Sequence, residues 1–345
     1  MAYDPEKQYR CTIIRGRSKN EMDDLLPIYA SIIQDVCPCE KNVFVKDFNA
    51  KLSRFISSPT KKTLDNHRTE ITGKLFGMWY LDDLDIVRSS KRTDSLIKNR
   101  DQPSFFKEIS WNFQFPNGMD KLQTIKDRIS HKIQVRPCAF VLKFILELSK
   151  VGDAPTKNEV AYYVLNNLDV LQGNSDVTQV VNEVIKRRKS GKIYKVKYDD
   201  KESSYSMQHI SELINILELA NLIKQEKRKT DTLLELNEKE NEFIIELTNC
   251  WNKKPIFDMY NFDLDNTIDI KKMYKKWAVT YSECSVNEDL LRTKTYNLIG
   301  FDVKEGKVPH IEKSTLDIGD EGEMMVFDYE KNRVEKFLPR LVNKV

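Results

Sequence analysis

Apolar residues recur at helical spacing in three successive stretches near the start of the chain. Over 22–36, Leu25, Leu26, Tyr29, Ile32, Ile33 and Val36 share one face. Over 43–56, Phe44, Phe48, Leu52, Phe55 and Ile56 form a second such stripe. A third helix is predicted after "SSPT", with Leu64, Ile71 and Leu75 as its buried side. The period then changes: "FGMWYLDDLDIVRSS" sets two short apolar runs about Asp82 and Asp83, the pattern of a β-hairpin. Three helices followed at once by a hairpin is the winged-helix order.

The order returns later in the chain without any sequence self-similarity. Residues 138–150 place Phe140, Val141, Phe144, Ile145 and Leu148 inward. A helix over 155–168 opens at Thr156, an expected N-cap, and another covers 176–189. The last, 206–223, buries Ile210, Leu213, Ile214 and Leu217 and runs into "IKQEKRKTDTLLEL", two strand-like segments about a polar turn. The fold class expected is therefore mainly α with small β-hairpin wings: two winged-helix subdomains joined by a helical linker. The boundaries are an N-terminal arm at 1–20, a first winged helix at 21–100, a linker at 101–136 carrying the aromatic "SFFKEISWNFQFPNG", and a second winged helix at 137–237. A helical connector follows at 238–317, with helices at 239–251 and 268–278. In 318–334, "IGDEGEMMVFDYEKNRV", Met325, Val326, Tyr329 and Arg333 set a helical pattern that begins a further domain.

Composition narrows the function classes. With 345 residues, 40% hydrophobic and 32% charged, the chain is expected to be a soluble globular protein of two or three domains. Its longest apolar run, "CAFVLKFILEL", carries Lys143 and is too short to span a bilayer. No apolar segment of a signal peptide opens the chain, and six scattered cysteines make no disulfide scaffold, so a cytoplasmic location is expected. Net charge is only +3, but it is unevenly spread. "KRRKSGKIYKVK" (186–197) holds seven basic residues and no acid, and the arm adds Arg10, Arg15, Arg17 and Lys19. Such clusters suit a polyanion, although each alone is equally a solvated run.

A winged helix lays its third helix in the major groove. In the first unit, Lys61, Lys62, Asn66 and Arg68 are expected outward on that helix, with His67 nearby. Lys and Arg suit guanine, Asn suits adenine, and further cations hold phosphates. The competing reading is an ordinary polar face. In the second unit, Ser204, Tyr205, Ser206, Gln208 and His209 surround the expected start of the last helix, where capping by Ser204 or Ser206 competes with DNA contact. "CPC" at 37–39 has no second ligand pair for zinc, so no metal site is expected. "DDK" (199–201), "DIK" (269–271) and "DVK" (302–304) match half of a PD-(D/E)xK nuclease pattern without its strands, so no catalytic residue is assigned.

Taken together, "YRCTIIRGRSKN", "KKTLDNHRTEITGKLFGM", "FQFPNGMDKL" and "YSMQHI" closely resemble the recognition region of BpuJI-like type IIS restriction endonucleases, over roughly residues 1–285. The resemblance implies a monomeric module that reads a short asymmetric site in double-stranded DNA, GC-rich and CCCGT-like. On this sequence it implies base or phosphate contact by Arg10, Arg15 and Arg17 of the arm, by Lys61, Lys62, Asn66, His67 and Arg68, and by Tyr205, Gln208 and His209; Lys186, Arg187 and Arg188 of the basic run are expected to join them on charge alone. It also implies no cofactor for binding, Mg2+ for cleavage by a complete PD-(D/E)xK domain, and dimerisation, if any, through that domain. Residues 318–345 are then expected to be the start of a truncated nuclease domain, with Glu323 at its first helix. Three alternatives remain open at this level: a tandem winged-helix regulator of a palindromic operator, a protein-interaction scaffold, and a subunit whose catalytic partner is a separate chain.

Overall fold

The computed structural model describes residues 3–57, 59–191, 200–250, 255–283 and 286–292, with side chains of 200–205 excepted. Residues 318–345, including Glu323, and the triplet at 302–304 lie outside the described residues.

The first winged helix begins with α1 (Met22–Val36), whose first turn carries Asp23 and Asp24 where the helix dipole favours anions. It buries Leu25, Leu26, Tyr29, Ile32 and Ile33 as the periodicity predicts. A short β1 (Cys39–Glu40) leads into α2 (Lys41–Leu52). That helix stops before the expected residue 56, leaving Phe55 57% exposed. Pro59 disfavours helical backbone just before it, and the segment ends in turns instead. Next, α3 runs as an α-helix over Lys61–Asn66 and continues with π geometry over His67–Leu75. The Thr60 hydroxyl caps it, accepting from the Thr63 amide at 3.1 Å. The wing is β2 (Trp79–Leu81) and β3 (Ile86–Ser89), antiparallel, with Trp79 opposite Ser89 and Leu81 opposite Val87. Its turn is built on Asp82, whose carboxylate accepts from the amides of Leu84 and Ile86 at 2.9 and 3.0 Å.

The end of the first unit and the linker are both more helical than the sequence suggests. A helix α4 (Lys91–Asn99), capped by Ser90, precedes α5 (Gln102–Asn112) and α6 (Leu122–Ser130). Leu96 and Ile97 are the only large apolar residues of α4, too few to mark a helix by apolar spacing, although its polar and apolar residues fall on opposite faces. The aromatic cluster packs inward: Phe105 and Phe106 meet the Phe76 ring edge-on at 5.8 and 5.7 Å. Arg92 on α4 pairs with Glu108 on α5 at 2.8 Å, both buried.

The second winged helix is α7 (Pro137–Ser149), α8 (Lys157–Glu159, continuing with π geometry over Val160–Leu165), α9 (Leu168–Leu171), α10 (Val177–Lys189) and α11 (Asp200–Leu219). Thr156 caps α8 as expected, within a full capping box with Glu159. The wing is β4 (Ile223–Lys227) and β5 (Thr232–Leu236), with Gln225 opposite Leu234. Both units repeat one detail that the sequence does not show. The segment between their first and second helices pairs with the last wing strand: Cys39 with Val87 in one, Thr156 with Leu233 in the other. This short third strand ties each wing to its own helices.

The connector supplies α12 (Asn241–Thr248), α13 (Thr267–Ser282) and α14 (Glu288–Leu291). Gly118 lets the linker lie directly on α13, because a Cβ there would come within 2.4 Å of Trp277. Asp269 and Lys271 lie on α13, and Asp200 and Lys201 on α11, so neither triplet sits on the strands that a PD-(D/E)xK site requires. Among the described residues no helix is long and apolar enough to cross a membrane.

Candidate nucleic-acid interface

The N-terminal arm has no regular secondary structure before Lys19, yet it is not loose. Cys11 and Ile13 are buried, and the chain is held at almost every second residue. The Tyr9 amide donates to the Asn166 carbonyl at 2.7 Å, and the Cys11 amide to the Asn166 side-chain oxygen at 2.8 Å. Arg128 of α6, buried beside Asp120 and stacked over the Phe115 ring at 4.0 Å, donates to the Thr12 carbonyl. The arm then follows α11 in parallel. Ile13 meets His209 Nδ1, the Gly16 amide donates to Glu212 Oε2 at 3.1 Å, and Lys19 pairs with Glu218 at 2.6 Å.

At Gly16 the arm also touches the first recognition helix, since a Cβ there would lie 3.2 Å from Leu75 and 3.3 Å from Glu212. One residue on, Arg17 hydrogen-bonds His67 Nε2, and the other ring nitrogen of His67 meets the Tyr29 hydroxyl. A guanidinium only donates, so Nε2 must accept, and the proton sits on Nδ1, facing the tyrosine oxygen. Burial, and then the Arg17 charge, push the His67 pKa down to about 4, which keeps the ring neutral. The arm therefore bridges the third helix of one winged unit and the last helix of the other.

The structure sorts the residues expected to face DNA. Lys61, Lys62 and Asn66 are exposed at the start of α3, along a shallow surface with Thr69 and Glu70. His67 and Arg68 are not outward: His67 is fully buried, and Arg68 pairs inward with Asp65 at 2.7 Å and Asn49 at 2.6 Å. The π geometry that starts at His67 rotates these positions off the register of a regular helix, and Arg17 of the arm covers His67. On the arm, Arg15 is exposed, while Arg10 and Arg17 are half-buried.

On α11, Gln208 is exposed and His209 half-buried, its pKa lowered first by burial. Tyr205 lies on the same helix, with its side chain outside the described residues. Because α11 starts at Asp200, Ser204 and Ser206 lie inside it rather than at its N-cap, which corrects the expected helix start. The basic run also changes character. Lys186 is largely exposed with a long pair to Glu183 at 3.6 Å, whereas Arg187 pairs closely with Glu6 and Glu183, and Arg188 with Asp153 and Glu159. Residues 192–197 lie outside the described residues.

Sequence reasoning passed over Glu212 and Arg128, which hold the arm, and read Tyr29 as core without its bond to His67. Glu212 follows His209 by three positions, hence shares its helix face, and that spacing was the available signal.

Three comparisons bear on this arrangement. A search of curated proteins finds no match. A solved structure of pyrene- and phenanthrene-modified DNA in complex with the BpuJ1 endonuclease binding domain is similar at a TM-score of 0.78 and 48% identity, covering 81% of this chain and 100% of that one. The family model described as restriction endonuclease BpuJI, N terminal, matches residues 3–278, the span that contains the arm, both winged helices and most of α13. The chain therefore belongs to the family of the BpuJI restriction endonuclease N-terminal domain.

Proposed function

We propose that this chain is a sequence-specific recognition module for double-stranded DNA of the type IIS restriction kind, reading a short asymmetric site. The observation that carries the proposal is the arm: it is fastened to α11 at Ile13, Gly16 and Lys19 and to α3 at Arg17, so three dissimilar reading elements act as one surface. Three unlike elements within one chain suit an asymmetric sequence better than a palindrome. Base contact falls to Lys61, Lys62 and Asn66 on α3, to Arg10, Arg15 and Arg17 on the arm, and to Tyr205, Gln208 and His209 on α11. Lys186 adds phosphate contact. Arg187 and Arg188 contribute only if DNA displaces their carboxylate partners, at a cost in affinity. His67 and Arg68 act from beneath, positioning Arg17 and Asn49.

Binding in this proposal is monomeric and needs no metal, whereas cleavage belongs to a complete PD-(D/E)xK domain with Mg2+. A CCCGT-like target extends from the family resemblance. The test is selection from a randomised duplex pool at moderate salt without Mg2+, followed by sequencing. One short asymmetric sequence is expected. A palindrome would instead indicate a dimeric regulator, and a pool without enrichment would overturn specific recognition altogether.

A further inference from the structure

A second feature lies beside the reading surface. Between the first wing, the linker and α13 lies a cleft of about 880 Å3, within the size range of small-ligand sites. Its apolar side is aromatic, with Trp79 on β2 and Tyr274 and Trp277 on α13. Two of these rings are fixed by their polar ends. Trp79 Nε1 donates to the Arg68 carbonyl and the Thr72 hydroxyl at 3.2 and 3.0 Å, and the Tyr274 hydroxyl donates to the Asp120 carbonyl at 3.0 Å. What these side chains offer the cleft is therefore ring surface rather than hydrogen bonds.

The charges around the cleft do not cancel. Lys74 is taken by Glu70 at 2.8 Å, Lys275 by Asp85 at 3.2 Å, and Asp120 by Arg128 at 2.5 Å. Lys41, Lys121 and Lys271 also line the cleft, are exposed, and have no carboxylate partner among the described residues. Three uncompensated cations converge from α2, the linker and α13 on one aromatic surface. Like charges so placed repel one another unless an anion joins them. A flat apolar body carrying phosphate satisfies both halves of the cleft, the base by stacking and the phosphate by the lysines. Thr69 lines both this cleft and the exposed face of α3, so the two surfaces are continuous.

We propose that this cleft binds one unpaired nucleotide, its base against Trp79 and Tyr274 and its phosphates at Lys41, Lys121 and Lys271. Only the source of that nucleotide rests on the DNA-recognition reading. Through Thr69, a strand flanking the recognised duplex reaches the cleft directly; a free mononucleotide shares the same chemistry.

The test uses the whole chain and its K41A/K121A/K271A variant, whose three side chains are exposed and leave the core untouched. One set of titrations uses the selected duplex, either blunt or with a five-nucleotide single-stranded extension at one of its ends. Another uses adenosine monophosphate alone, followed through quenching of tryptophan fluorescence. Extension of one strand is expected to tighten wild-type binding roughly tenfold, the scale of one stacked base. The variant should lose that gain, with a salt slope shallower by about 2, and keep its affinity for the blunt duplex. Quenching by adenosine monophosphate, lost in the variant and unaccompanied by any gain from extension, would assign the site to free nucleotides. Neither response in the wild type, or an equal loss of blunt-duplex binding in the variant, would overturn the proposal. The mononucleotide arm is independent of the duplex, so it still decides the cleft if pool selection yields no target.

Discussion

The contact between arm and recognition helix runs through one buried neutral imidazole, and acid is the perturbation that isolates it. His67 is fully buried, accepts from Arg17 at Nε2 and faces the Tyr29 hydroxyl at Nδ1. Burial and Arg17 bring its pKa from the ordinary 6.5 to about 4. The unfolded chain therefore binds a proton that the folded chain refuses between those two values. Stability from this group is fully present above pH 6.5, declines as pH falls below that, and reaches its maximum loss near pH 4. At 1.36 kcal/mol per pH unit, the interval from 6.5 to about 4 amounts to about 3 kcal/mol. Carboxylates titrate in the same window, so the measurement is a difference. Urea unfolding of wild type and His67→Gln is followed at half-unit steps from pH 7.5 to 4.0. The glutamine can still accept from Arg17 but does not titrate. The gap between the two proteins should shift by about 3 kcal/mol in favour of the variant as pH falls. Once protonated, His67 presents an N–H to a guanidinium, so Arg17 should detach and preference for the selected site should fall over the same range. Parallel stability curves for the two proteins would refute a buried, neutral His67.

Other expectations follow from particular contacts. Glu212→Ala removes the acceptor for the Gly16 amide, and a hydrogen bond to a charged group is worth about 1.5 kcal/mol. Affinity for the selected duplex should drop about tenfold, with non-specific binding unchanged; competition titrations separate the two, and an equal loss in both would count against a positioning role. Lys61→Ala and Lys62→Ala should each lower the slope of log affinity against log salt by about 1 across all sequences, as measured by fluorescence anisotropy, whereas Asn66→Ala should relax preference at one base pair. Lys107→Met leaves Glu240 buried without the cation that stands 2.8 Å away and should cost about 3 kcal/mol or more in chemical unfolding; the double variant with Glu240→Gln should recover much of it. Gly118→Ala would drive a methyl into Trp277, and a fall in melting temperature equivalent to about 2 kcal/mol is expected.

The helices and both wings are legible in the chain because their information is local. A repeat near 3.6 marks α1, α7 and α10, and the turn at Asp82 marks the first wing, whatever the rest of the molecule does. Where apolar residues are few, their spacing does not mark a helix: α4 has only Leu96 and Ile97 as large apolar residues, and the extra turns of α11 before Ser206 are polar. The arm was legible as basic and irregular, but not as a fastened strap. Its partners lie far away in sequence, 50 residues for Arg17 with His67 and 196 for Gly16 with Glu212. No periodicity encodes such pairs. Local pattern already put Lys61, Lys62 and Asn66 outward, but tertiary packing turned His67 and Arg68 in and set Arg188 against the distant Asp153 and Glu159. Sequence fixes which residues are cations, since that is chemistry. Which cations remain available to a polyanion depends on where the fold brings the acids, and that is settled only when distant segments meet.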